Sequence, residues 1–149
     1  MPQHFYDTGM PTAKLIVCES SGDWAVAWRR VLRGSDIPIC QTRSLGDCRQ
    51  ELAASPASVV ALELTPENLP ALLSELVAWS QRHPLVRTIV LCARGDEACE
   101  PLVREAGAAH VVFSPRELAA AAVFVKRHLA AAPQPELSLR ETIWNSLPF

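Results

Sequence analysis

Short apolar runs alternate along this chain with segments whose apolar residues recur every three or four positions, and the alternation continues from Lys14 to Ala132. The runs Leu15-Ile16-Val17-Cys18, Ile37-Pro38-Ile39-Cys40, Val59 to Leu64, Thr88 to Cys92 and His110 to Phe113 read as strands. Leu15–Cys18 is apolar throughout, as a central parallel strand covered on both faces must be. Ile37–Cys40 contains a proline that cannot donate to a ladder, which puts it at a sheet edge. Five helices are predicted to follow the strands. In the first, Ser20 and Asp23 have capping spacing, Trp24, Trp28, Val31 and Leu32 share one stripe, Arg29, Arg30 and Arg33 point elsewhere, and Gly34 ends the helix. The second is Leu45 to Ala54. The third is entered through Thr65-Pro66, with Leu69, Leu72, Leu73, Leu76 and Val77 as its core face, and closes at His83-Pro84. The fourth becomes regular at Pro101 and is ended by Gly107. The fifth is entered through Ser114-Pro115-Arg116-Glu117 and runs to about Ala130. Strands separated regularly by helices predict a parallel sheet with helices on both faces, a doubly wound α/β domain over residues 14–130.

The flanks have a different character. Residues 1–13 read as a flexible N-terminal segment, and Ala131-Ala132-Pro133-Gln134-Pro135 as a short semi-rigid linker, because proline favours extended chain. Beyond it, Ser138 and Glu141 repeat the capping spacing, and Leu139, Ile143, Trp144 and Leu147 fall on one side of a short helix that ends at Phe149. A helix of two or three turns is not stable alone in water. Residues 136–149 are therefore predicted to dock, with Leu139, Ile143, Trp144, Leu147 and Phe149 as partner-binding residues on another protein or a second copy of the chain. The alternative is that Trp144 and Phe149 fold back on the chain's own body.

Composition narrows the chemistry. With 149 residues the chain suits one domain, and 49% apolar against 20% charged residues describes a globular protein. The formal net charge of -2 gives no electrostatic reason to expect nucleic acid. No leader-like or membrane-spanning run is present, so a cytoplasmic protein is expected. Five cysteines form no C-x-x-C pair, so reduced, packing thiols are expected, and a zinc site built on Cys18 and Cys92 is disfavoured. His4, His83, His110 and His128 form no ligand pair, and His128 reads as a dipole partner near the end of the fifth helix. Cys18-Glu19-Ser20-Ser21-Gly22 follows the first strand with a single glycine, which does not make a phosphate-cradling loop.

Three landmarks taken together resemble the receiver domains of response regulators. They are Ser58 to Leu64 as a third strand, Arg87 to Ala93 as a fourth, and Glu105-Ala106-Gly107-Ala108 followed by Val111-Val112-Phe113-Ser114-Pro115. The resemblance implies a five-stranded sheet in the order 2-1-3-4-5. It also implies a place for each switch residue: an acidic pair after strand one for Mg²⁺, a phospho-acceptor aspartate after strand three, a hydroxyl after strand four and a lysine after strand five. In this chain those positions read Cys18 and Glu19, Glu63, Cys92, and Ser114. Thiols do not suit Mg²⁺, which wants oxygens. The glutamate moves the acceptor oxygens by about one bond length, and no lysine offsets the charge of a transferring phosphoryl group. Cys18 and Cys92 then read as strand-end packing residues and Ser114 as a helix cap.

The sequence therefore predicts a pseudo-receiver with no catalytic residues, metal or cofactor, which works by binding a protein in bacterial signalling or regulation. The rival reading is a small-molecule or cation-binding α/β protein that uses Glu19 and Glu63 in the crevice at the strand ends.

Overall fold

The computed structural model describes residues 12–133. Five parallel strands, β1 (Leu15–Cys18), β2 (Ile39–Thr42), β3 (Val59–Glu63), β4 (Arg87–Leu91) and β5 (His110–Val112), lie in the order β2-β1-β3-β4-β5. Between and after them run α1 (Asp23–Val31), α2 (Leu45–Ala54), α3 (Leu69–Arg82), α4 (Glu100–Ala106) and α5 (Leu118–Ala131). Sheet order and helix placement match the receiver fold.

Alternation along the strands builds two cores, one on each face of the sheet. Ile16, Val60, Leu62 and Val90 pack beneath α2, α3 and α4 with Leu52, Leu76, Trp79 and Val103. Leu15, Val17, Ala61, Ile89 and Leu91 face the other way and pack against Trp28, Leu32, Leu118 and Val125 of the α1 and α5 layer. Both faces of the central strands are buried, which accounts for their apolar interiors, with Glu63, Arg87 and Thr88 confined to the strand ends.

Several boundaries differ from the sequence pattern, each for a local reason. β2 begins at Ile39 rather than Ile37. It is an edge strand as predicted, and Pro38 lies just before it, using only its carbonyl, which accepts from the Leu15 N–H at 3.0 Å. α3 starts at Leu69 rather than at Pro66, because Thr65 and Asn68 close a turn on each other. The Thr65 N–H donates to Asn68 Oδ1 at 2.8 Å and the Asn68 N–H to Thr65 Oγ1 at 3.2 Å, so Pro70 becomes the first-turn proline. Val77 is 46% exposed and is not part of the core face. The buried stripe is Leu72, Leu76 and Trp79. Pro115–Glu117 is a 3₁₀ turn, and α5 begins only at Leu118. α4 begins at Glu100 after a 3₁₀ turn over Glu97–Cys99 and ends at Gly107, whose φ of +126° disfavours any residue with a Cβ. A methyl group there would also press on Ser80 Oγ, which is donating to the Leu76 carbonyl. The predicted docking residues Leu139, Ile143, Trp144, Leu147 and Phe149 lie outside the described residues. No described helix is long and apolar enough to cross a membrane.

Candidate functional site

The carboxyl ends of β1, β3 and β4 meet at one edge of the sheet, where a doubly wound fold opens a crevice. The crevice is divided by Glu63, the last residue of β3, which lines a hollow on each side. One, of about 210 Å³, is bordered by Cys18, Glu19, Ser20, Arg43 and Asn68. The other, of about 310 Å³, is bordered by Trp24, Leu64, Cys92, Asp96, Phe113 and Pro115.

Glu19 does not offer its carboxylate to the crevice. The side chain is 2% exposed and turns under the start of α1. Its Oε1 accepts from the N–H groups of Trp24 (2.8 Å) and Gly22 (3.1 Å) and from Ser21 Oγ (3.4 Å), while Oε2 accepts from the Ala25 N–H (2.5 Å). The first N–H groups of a helix have no partners within it, and an anion at that end also meets the positive pole of the helix dipole. Glu19 therefore does the capping that Ser20 was expected to do. Gly22, the residue at the N-cap position, has φ +93° and makes no side-chain cap, so the acceptor is supplied from three to six residues upstream.

Glu63 is only partly buried. Its Oε1 accepts two hydrogen bonds of 3.3 Å, from the N–H and the Oγ of Ser20, and its backbone carbonyl accepts from Asn68 Nδ2 at 2.8 Å. Glu19 and Glu63 are thus tied to the same short loop through separate donors, and no hydrogen bond joins them among the described residues. Among those residues no three His, Cys, Asp or Glu side chains converge to hold a metal ion.

The thiols are packed. Cys18 and Cys48 are free thiols in the same core; a hydrogen bond between them holds the Cys18 value below the usual range despite burial, and the same hydrogen bond together with burial pushes Cys48 well above it. Burial, and then the charge of Asp96, pushes the Cys92 thiol up to about 12, so it stays protonated and inert at neutral pH. Ser114 turns away from the crevice: its Oγ accepts from the Arg116 N–H at 3.2 Å, capping the turn that leads into α5. His128, read from sequence as a dipole partner, is instead tucked between Phe124 and the Ala57 carbonyl, 3.1 Å from Nε2, and burial lowers its pKa.

Sequence reasoning missed Trp24 and Asp96. Trp24, placed on the core stripe of α1, does pack against the core there, but it is only half-buried and also lines the larger hollow. The available signal was its position in the first turn of a helix that follows β1, which sets it over the strand ends. Asp96 carried no sequence signal beyond that of a turn.

No family model and no curated protein matches the chain. Solved structures share its fold. The signal receiver domain of a signal transduction histidine kinase from Syntrophus aciditrophicus is 20% identical, with a TM-score of 0.63 over 86% of this chain and 98% of that one. A CheY-like protein (tadZ) from Pseudomonas aeruginosa is 14% identical, with a TM-score of 0.62 over 77% and 98%. A protein from Burkholderia thailandensis named for pilus assembly (cpaE) is 19% identical, with a TM-score of 0.53 over 80% and 99%. The chain therefore has a CheY-like receiver fold.

Proposed function

We propose that this module does not run a phosphorylation cycle and acts by binding another protein, in bacterial signalling or regulation. The observation that carries the reading is the state of the acids at the strand ends. Glu19, one of the two positions that would hold Mg²⁺, has both oxygens committed to the start of α1, and the other position is the packed thiol Cys18. No Lys or Arg lines the hollow between Glu63 and Cys92, and Ser114 is spent on a turn. Phosphoryl transfer depends on positioned cations, and none lines that hollow; the cation beside Glu63 is Arg43, on the lining of the smaller hollow. A protein of this fold that is released from phosphotransfer retains its surfaces for binding.

The rival reading needs Glu19 and Glu63 to act together on a cation or small molecule, and the capping role of Glu19 argues against it. The test is exposure of the chain to Mg²⁺ with a small phosphodonor or with beryllofluoride, read by intact mass and by NMR. A stoichiometric phosphoryl adduct on Glu63 would overturn the proposal.

A further inference from the structure

We propose that the hollow between Glu63 and Asp96 receives one arginine side chain presented by a protein partner. The inference rests on the reading that the module acts by binding a protein, and it specifies the chemistry of that partner. The hollow has about 310 Å³ of space and an apolar wall made by Trp24, Leu64, Phe113 and Pro115. Two carboxylates, Glu63 and Asp96, stand on the same lining, and no Lys or Arg does. The ion pairs among the described residues are Lys14–Glu51, Arg49–Glu75 and Arg104–Glu100, and none engages either acid. Glu63 Oε1 has only its two 3.3 Å contacts with Ser20, which leaves Oε2 without a donor among those residues.

The surroundings add to the negative potential. Besides burial, the groups that raise the Cys92 thiol on the lining of the hollow are Asp96, Cys99, Glu100 and Glu97. An aromatic wall beside unpaired carboxylates is complementary to a flat, delocalised and weakly hydrated cation. A guanidinium stacks on an indole face while its N–H fork meets carboxylate oxygens, whereas a lysine ammonium is compact and strongly hydrated. A divalent ion suits the hollow poorly, since hard cations want several oxygens and the nearby Glu19 has none to spare.

The probe is Nα-acetyl-arginine methylamide, titrated into the ¹⁵N-labelled full chain, with the citrulline analogue as an uncharged control of the same shape. The expected result is shifts confined to the Trp24 indole N–H, Leu64, Cys92, Asp96 and Phe113, with citrulline binding at least about tenfold more weakly. Asp96→Asn, on an exposed turn, and Glu63→Gln should each weaken the arginine probe several-fold and leave the remaining spectrum folded. Equal binding of citrulline, shifts elsewhere, or no shifts would overturn the assignment. Binding seen only after Arg140→Gln would also overturn it, because the occupant would then be the chain's own segment beyond residue 133. Failure of the arginine probe leaves the phosphorylation reading intact, whereas a phosphoryl adduct overturns that reading whatever the probe does.

Discussion

Replacing Glu19 separates a structural carboxylate from a cation ligand by the sign of its effect. In the structure the side chain accepts from three backbone N–H groups at the start of α1 and is almost wholly buried. Glu19→Ala removes a helix-capping acceptor, which costs about 1–2 kcal/mol. It also removes an anion from the positive end of a helix dipole in a buried setting, a further cost of up to about 2 kcal/mol. The expected loss is about 3 kcal/mol. For a chain of this size each kcal/mol moves the melting temperature by roughly 2–4 °C, so Tm should fall by roughly 6–12 °C. Glu19→Gln keeps one acceptor oxygen but turns an NH₂ toward backbone donors, and it should cost about 2 kcal/mol. Were Glu19 instead half of a cation site with Glu63, the metal-free protein would carry two repelling charges. Neutralising one of them would then stabilise the fold. The assay is thermal and urea unfolding of both variants with and without Mg²⁺. A higher Tm for Glu19→Gln, or Mg²⁺ protection of the wild type that the variant lacks, would refute the capping account.

Two further predictions concern the body of the fold. Trp79→Ala should cost about 3–5 kcal/mol in urea unfolding, because the indole is 2% exposed beneath α3, whereas Val77→Ala should stay within about 0.5 kcal/mol. Equal costs would place the helix in a different rotation. Burial holds the pKa of His128 below its ordinary value, so the unfolded chain takes up a proton before the folded one does. Its contribution to stability is therefore fully present above about pH 6.5 and is lost as pH falls toward the lower folded value. His128→Gln should flatten the fall in stability over that window, and an unchanged slope would contradict the assignment.

The fold was legible because the strands are continuous apolar runs and the helices carry stripes, and these two periodicities survive without tertiary information. Leu15–Cys18 needed no context, and Pro38 marked the edge strand correctly. Starts of elements were less legible, since Pro66 and Pro115 each permit either a helix or a preceding turn. The choice fell to Asn68 in one case and to the 3₁₀ turn before Leu118 in the other. Val77 and Trp79 were confused because a stripe built on Leu69, Leu72 and Leu76 can be extended along either edge. At the strand ends the sequence placed Cys18, Glu19, Glu63, Cys92 and Ser114 along the chain, but it did not show what they touch. The direction in which Glu19 turns depends on the left-handed Gly22 and on where α1 begins, and neither is written in local residue types.

The claim that this receiver fold has left the phosphorylation cycle is tested most directly by adding Mg²⁺ and beryllofluoride to the ¹⁵N-labelled chain, alongside a phosphodonor incubation followed by intact mass. The account predicts no adduct on Glu63 and no shifts at Glu19, Glu63, Cys92 or Phe113. Saturable shifts at those residues, or a stoichiometric phosphoryl mass on Glu63, would contradict it.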